Sequence, residues 1–161
     1  MARVASSPVT EATVALLRET FEGPSGPSTY FIDNDPNAGF FGTIDRVSAD
    51  EASRPFGRGG ASIAGHAFHA GFHLDVSTAW LRGDREPRDW TQSWTVTSVD
   101  EPGWADLRTR LHRQFDAHVG AIESDPPASG EDVATAIAAL AHAAYHLGAI
   151  RQRVAAASIR A

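Results

Sequence analysis

The chain has 161 residues and a mass of 17.2 kDa, the size of one domain, spanning residues 1–161, with enough interior to fold without staples. Its hydrophobic fraction of 42% and charged fraction of 21% lie near globular averages and exclude a disordered or fibrous chain. A formal net charge of −6 argues against nucleic acid as a partner, and zero cysteines exclude disulfides, thiolate metal sites, a cysteine nucleophile and iron–sulfur clusters.

Four segments predict helices. The start carries Arg3, Glu11, Arg18 and Glu19, so no secretory signal is expected. The first helix is expected over Thr10 to Phe21, with Val14, Leu17 and Phe21 on one face, and GPSGPS stops it. Within the long connection that follows, Gly39 to Val47 predicts a short helix, and Asp33, Asn34 and Asp35 form an acidic turn without calcium-loop spacing. GRGGAS lacks the lysine of a phosphate loop. The second helix is expected from Ser62 to Leu81, stopped by Gly83. Its buried side should carry Ile63, His66, Phe68 or His69, Phe72, His73, Val76 and Trp80. DWTQSWTVTSV reads as an extended crossover whose Trp90 and Trp94 cap the core, since a single strand would lack a partner. The third helix is expected over Gly103 to Ile122, with Trp104, Leu107, Leu111, Phe115, His118 and Ile122 as its stripe and His112 off it. Pro126 and Pro127 close it. The fourth opens at Ser129, has Glu131 and Asp132 in its first turn, and runs to Ser158 with Arg151, Arg153 and Arg160 toward its C-terminus.

Val133 to Ile150 has no charged side chain over 18 residues. Its bulk is alanine, it holds two histidines and no aromatic belt flanks it, so a buried helix is expected and a membrane is not. The class is all-α: a four-helix bundle with two long crossover connections.

Five of the seven histidines fall in two segments. His66, His69 and His73 lie in GHAFHAGFHL and share a helical sector roughly 60° wide. His142 and His146 lie in AHAAYHLGAI and stack one turn apart. Such a pair, with a third imidazole from a facing helix, makes a three-nitrogen site with positions left open for water or substrate. Helix two offers three candidates for the third ligand. Burying five neutral imidazoles for stability alone would require ten ring nitrogens to find partners among alanines. A zinc-protease site would need Glu beside the first histidine, where Ala143 stands. A di-iron centre would need Glu three residues before a histidine, where Ala139 and Ile63 stand. Asp75 either orients an imidazole from behind or is an exposed helix charge, and Arg151 and Arg153 either hold a substrate carboxylate or, more simply, complement the helix dipole. An ion held by neutral nitrogens keeps its full charge and favours an anionic further ligand: hydroxide, thiolate or carboxylate.

The pattern S-I-A-G-H-x-x-H-x-x-F-x-L at Ser62 to Leu74, with H-x-x-Y-H-L-G-A-I at His142 to Ile150, resembles the DinB/YfiT-like superfamily. DWTQSWTV, the GWADL helix start and NAGFFGTIDRVSADEAS extend the resemblance along nearly the whole chain. The resemblance implies a four-helix bundle and a divalent metal on His69, His142 and His146, with His66 and His73 one turn either side of His69. Zinc or nickel is the expected ion, with iron or manganese next. The resemblance also implies a metal-dependent transferase using a low-molecular-weight thiol such as bacillithiol or mycothiol and an electrophilic substrate. A non-catalytic metal or small-ligand binding bundle and a metal-dependent hydrolase are the alternatives. Four tryptophans exceed the needs of the core, so at least two are expected inside it and the others on a pocket or a dimer face; a homodimer is expected, and the absence of cysteine fits a cytoplasmic location.

Overall fold

A computed structural model describes residues 7–57 and 59–158. Arg3 and Arg160 lie outside the described residues. The described chain is all-helical, with no strand among the described residues. Six α-helices follow in order: α1 (Pro8–Glu22), α2 (Phe40–Ile44), α3 (Ala49–Ser53), α4 (Ile63–Leu81), α5 (Glu101–Ser124) and α6 (Gly130–Ser158). A single 3₁₀ turn, Trp90–Trp94, stands between α4 and α5.

Local chemistry sets these bounds. Ser7 accepts from the Thr10 N–H and Pro8 stands in the first turn, so α1 begins two residues before its expected start. Gly23 ends α1 at φ +94°. Asp100 accepts from the Gly103 N–H, which likewise starts α5 earlier than the expected Gly103. Ser62 caps α4 and Ser129 caps α6, as their positions in the sequence predict. α3 is an element the hydrophobic pattern did not announce. It is built on a capping box in which Ser48 accepts from the Glu51 N–H and Glu51 accepts from the Ser48 N–H.

α4 is the central element, packed against α5, α6, α3 and the 3₁₀ turn. Its buried positions are mostly small: Ala64, Gly65, Ala67, Ala70, Gly71, Ser77 and Thr78 join Ile63, His69, Leu74 and Val76. Of the alternatives Phe68 and His69, His69 is the buried one; Phe72, His66, His73 and Trp80, expected inside, are only half-buried. Small residues let neighbouring helices approach closely. A Cβ on Gly71 would stand 2.1 Å from Gln114 Oε1 of α5, so glycine is what admits that buried amide. One continuous apolar cluster joins Leu17 and Phe21 of α1, Phe40 and Ile44 of α2, Trp104, Leu111, Phe115 and Ile122 of α5, and Leu147 and Ile150 of α6. The expected α5 stripe is buried throughout, and Trp104 donates from Nε1 to the Val47 carbonyl at 2.7 Å.

The segment after the 3₁₀ turn is strapped across the start of α4. Ser62 Oγ donates to the Thr97 carbonyl at 2.9 Å, and the Ser53 hydroxyl accepts from the Val99 N–H at 2.9 Å. α6 is the one described helix long and apolar enough to cross a membrane by length and composition. In this fold it packs on α4, α1 and α2.

Candidate metal centre

Three features fix the place of the site. α4 presents His66, His69 and His73, α6 presents His142 and His146, and the 3₁₀ turn closes over them. The turn forms because Asp89 at its start accepts from the Thr91 N–H at 3.0 Å and from the Thr91 hydroxyl at 2.6 Å. This corrects the expected extended crossover: the Asp89 side chain supplies the turn with a cap. It also corrects the expectation that Trp90 and Trp94 cap the core. Both are about two-fifths exposed, and they cover histidines instead. Trp94 stacks on His69 with centroids 4.0 Å apart, and Trp90 lies 5.7 Å from His73.

His69, His142 and His146 come together, each offering one nitrogen within 4.8 Å of the others. His69 Nε2 lies 3.0 Å from His142 Nε2, which lies 3.2 Å from His146 Nε2. His69 and His146 are buried and His142 is half-buried. The other two candidates of α4 stand differently. His66 Nδ1 meets His146 Nδ1 at 2.8 Å, on the far side of that ring from the shared point. His73 stacks face to face on His142 at 3.9 Å and 15°, with its Nδ1 on the Ser77 hydroxyl at 3.2 Å. Of the three α4 histidines, His69 alone joins the group.

These donors suit a divalent cation. Two nitrogens on one tetrahedral zinc, with bonds of about 2.0–2.1 Å, lie about 3.3 Å apart. The two short Nε2 separations here are near that value. A neutral Nε2 has one proton or one lone pair. His142 Nε2 faces two other ring nitrogens at hydrogen-bond distance, whereas a cation between them would use a lone pair from each. The His142 Nδ1 is buried without a hydrogen-bond partner among the described residues, so no hydrogen bond there commits that ring to another role. No carboxylate belongs to the group.

Burial holds the imidazoles neutral, the form in which they ligate metals. It pushes His142 and His146 down to about 3 and His73 to about 4, with the neighbouring imidazoles adding to the effect. His66 and His69 are lowered by the same cause, opposed at His69 by the backbone of Ser93.

For three charged residues the structure favours the simpler of two readings. Asp75 is exposed and turned away: it accepts from Gln114 Nε2 at 2.6 Å and pairs with Arg110 at 3.2 Å. Arg151 pairs with Asp33 of the acidic turn, and Arg153 lies 5.6 Å over the Phe56 ring. Two other histidines stand where the stripe put them: His118 is wholly buried, with Nδ1 3.0 Å from the Thr78 hydroxyl, and His112, off the stripe, is exposed and stacks on Phe41 at 3.6 Å.

Sequence reasoning missed Ser93. Its hydroxyl lies 2.8 Å from His69 Nδ1 and donates to the Trp90 carbonyl at 2.6 Å. The available signal was Asp89 two residues before Thr91, which marks a side-chain-capped turn and so places Ser93 one turn after Trp90. A cavity of about 530 Å³ borders Trp94; its lining includes Ser53, Pro55, Ser62, Val96 and Thr97, with no charged side chain among the described residues. Compared with known proteins, the chain matches no family model, no curated protein and no solved structure.

Proposed function

We propose that the chain is a DinB/YfiT-like four-helix bundle that binds one divalent metal ion on His69, His142 and His146 and transfers an external low-molecular-weight thiol to an electrophile. The observation that carries the reading is the convergence of these three nitrogens within 4.8 Å, beneath Trp94. The four long helices α1, α4, α5 and α6 supply the bundle, and the pairing of α4 with α6 supplies the site. Zinc and nickel suit three imidazoles best, and iron and manganese follow.

A metal ion on three neutral ligands lowers the pKa of a thiol or water bound in an open position. The chain has no cysteine, so the sulfur comes from the cosubstrate. In the transfer, the thiol proton leaves to solvent, a sulfur–carbon bond forms, and the carbon–leaving-group bond breaks with its electron pair on the departing anion. The protein's part is to hold and orient. His69, His142 and His146 fix the cation, Trp94 shields one face of the site, and the cavity beside Trp94 receives the electrophile. A cytoplasmic homodimer belongs to the same reading, and sedimentation at micromolar concentration tests the dimer.

The deciding experiment is metal analysis of the purified protein beside a variant carrying His69→Ala, His142→Ala and His146→Ala. One divalent ion per chain, lost in the variant, is expected. The metal-loaded protein is then given a thiol and a chlorinated dinitroaromatic. A rate above that of His146→Ala supports transfer. Metal without such a rate, across several bacterial thiols, leaves a metal-binding bundle and overturns the transferase. Thiol-independent cleavage of esters or amides would replace transfer by hydrolysis.

A further inference from the structure

Ser93 carries a geometry that the ligand set alone does not explain. Its hydroxyl oxygen lies 2.6 Å from the carbonyl oxygen of Trp90. A carbonyl has no proton, so two oxygens at that distance require the hydroxyl hydrogen between them. Ser93 Oγ therefore spends its one proton on Trp90, and toward His69 Nδ1, 2.8 Å away, it can only accept. The proton of a neutral His69 must then sit on Nδ1. Its Nε2, 3.0 Å from His142 Nε2, is left as a bare lone pair directed at the shared point.

We infer that Ser93 is a positioning residue that, through the Trp90 carbonyl, locks His69 as its Nδ1–H tautomer so that Nε2 is ready to ligate. The inference deepens the metal-binding reading above. A histidine ligand whose outer nitrogen has a fixed acceptor holds one ring orientation and one tautomer, and loss of such an acceptor weakens metal binding by roughly 10–100-fold. The hydroxyl is 1% exposed, so water does not compete for the Nδ1 proton. The stack of Trp94 on the same ring, at 16° between planes, holds the plane in which the lone pair lies. The turn is itself braced by Asp89, so the tautomer of a residue on α4 is dictated by a capped turn 20 or so residues further along the chain.

The test reads the tautomer directly in the metal-free protein. Nitrogen-15 long-range correlation spectra at pH 8 distinguish protonated from bare ring nitrogens, and the His69 signals are those absent from His69→Asn. In the wild type, Nδ1 is expected to be the protonated nitrogen. In Ser93→Ala the two tautomers are expected to mix, and zinc binding measured by competition with a chelator is expected to weaken roughly tenfold or more. Ser93→Thr, which keeps the hydroxyl, is expected to restore both. A wild-type His69 protonated on Nε2, or a Ser93→Ala protein with the wild-type pattern and unchanged zinc affinity, would overturn the inference. The spectra need no metal. A wild type that shows the expected tautomer yet binds no zinc would refute the metal-binding reading and leave the role of Ser93 in setting the tautomer standing.

Discussion

Trp94 lies flat on His69, with 4.0 Å between ring centroids and 16° between planes. The indole is about two-fifths exposed while the imidazole beneath it is buried, so the tryptophan acts as the wall between that ring and water. Removing it frees the imidazole to rotate and lets solvent in. A stacked aromatic pair contributes roughly 1 kcal/mol, equivalent to about a fivefold change in affinity. Trp94→Ala is expected to weaken zinc binding by about that factor while shifting the urea midpoint little. Zinc addition is expected to change the tryptophan fluorescence of the wild type, and less so that of the variant, in which Trp90 remains beside His73. An unchanged zinc affinity would mean that the stack does not hold the ligand.

Glu19 is buried at 9% exposure and accepts from the N–H groups of Tyr30 and Phe31, at 2.9–3.0 Å, and of Ile32 at 3.4 Å. A carboxylate can accept from all of them, whereas an amide turns a donor toward at least one. Glu19→Gln is expected to cost about 2 kcal/mol of stability, the scale of hydrogen bonds to a charged acceptor. Amide exchange at Tyr30 and Phe31 should accelerate in the variant. Exchange at wild-type rates would show that the connection holds its shape without this anchor.

His118 gives the fold a pH dependence that does not involve the metal ligands. Burial first, and His73 second, push it from 6.5 down to about 4. Between those values the unfolded chain holds a proton that the folded chain does not, so folding is penalised increasingly as pH falls. The contribution is absent above about pH 7, grows from pH 6.5 downward, and levels off below about pH 4 at roughly 3 kcal/mol. His118→Gln, which does not titrate, should lose less stability between pH 7.5 and 4.5 than the wild type, both measured with chelator present. Equal losses would show that His118 protonates inside the fold.

Periodicity announced the four long helices because their stripes and caps coincide: Ser62, Gly83, Ser129 and the α5 stripe all stand where sequence spacing put them. The two helix starts that came two residues early, Pro8 and Glu101, were set by the caps Ser7 and Asp100. The spacing of His142 and His146 made them a pair on one helix face. What spacing could not do was choose among His66, His69 and His73, which share one sector of α4; the crossing of α4 with α6 makes that choice. Ser93 was hidden for a different reason. Its role depends on a side-chain-capped 3₁₀ turn, and a hydroxyl in a five-residue turn leaves no periodic trace. Asp75 stayed open between two readings because adjacency on a helix says nothing of which neighbour, here Gln114 of α5, reaches the carboxylate.

His69 and His142 meet across 73 residues of chain. A cation shared by them would close a loop that includes all of α5, and an unfolded chain holds no such preformed cage. Folding and loading would then be a single linked equilibrium, with the melting temperature rising as free metal rises above its dissociation constant. The thermal stability of this protein would accordingly report the metal supply of its surroundings as much as the quality of its own interior.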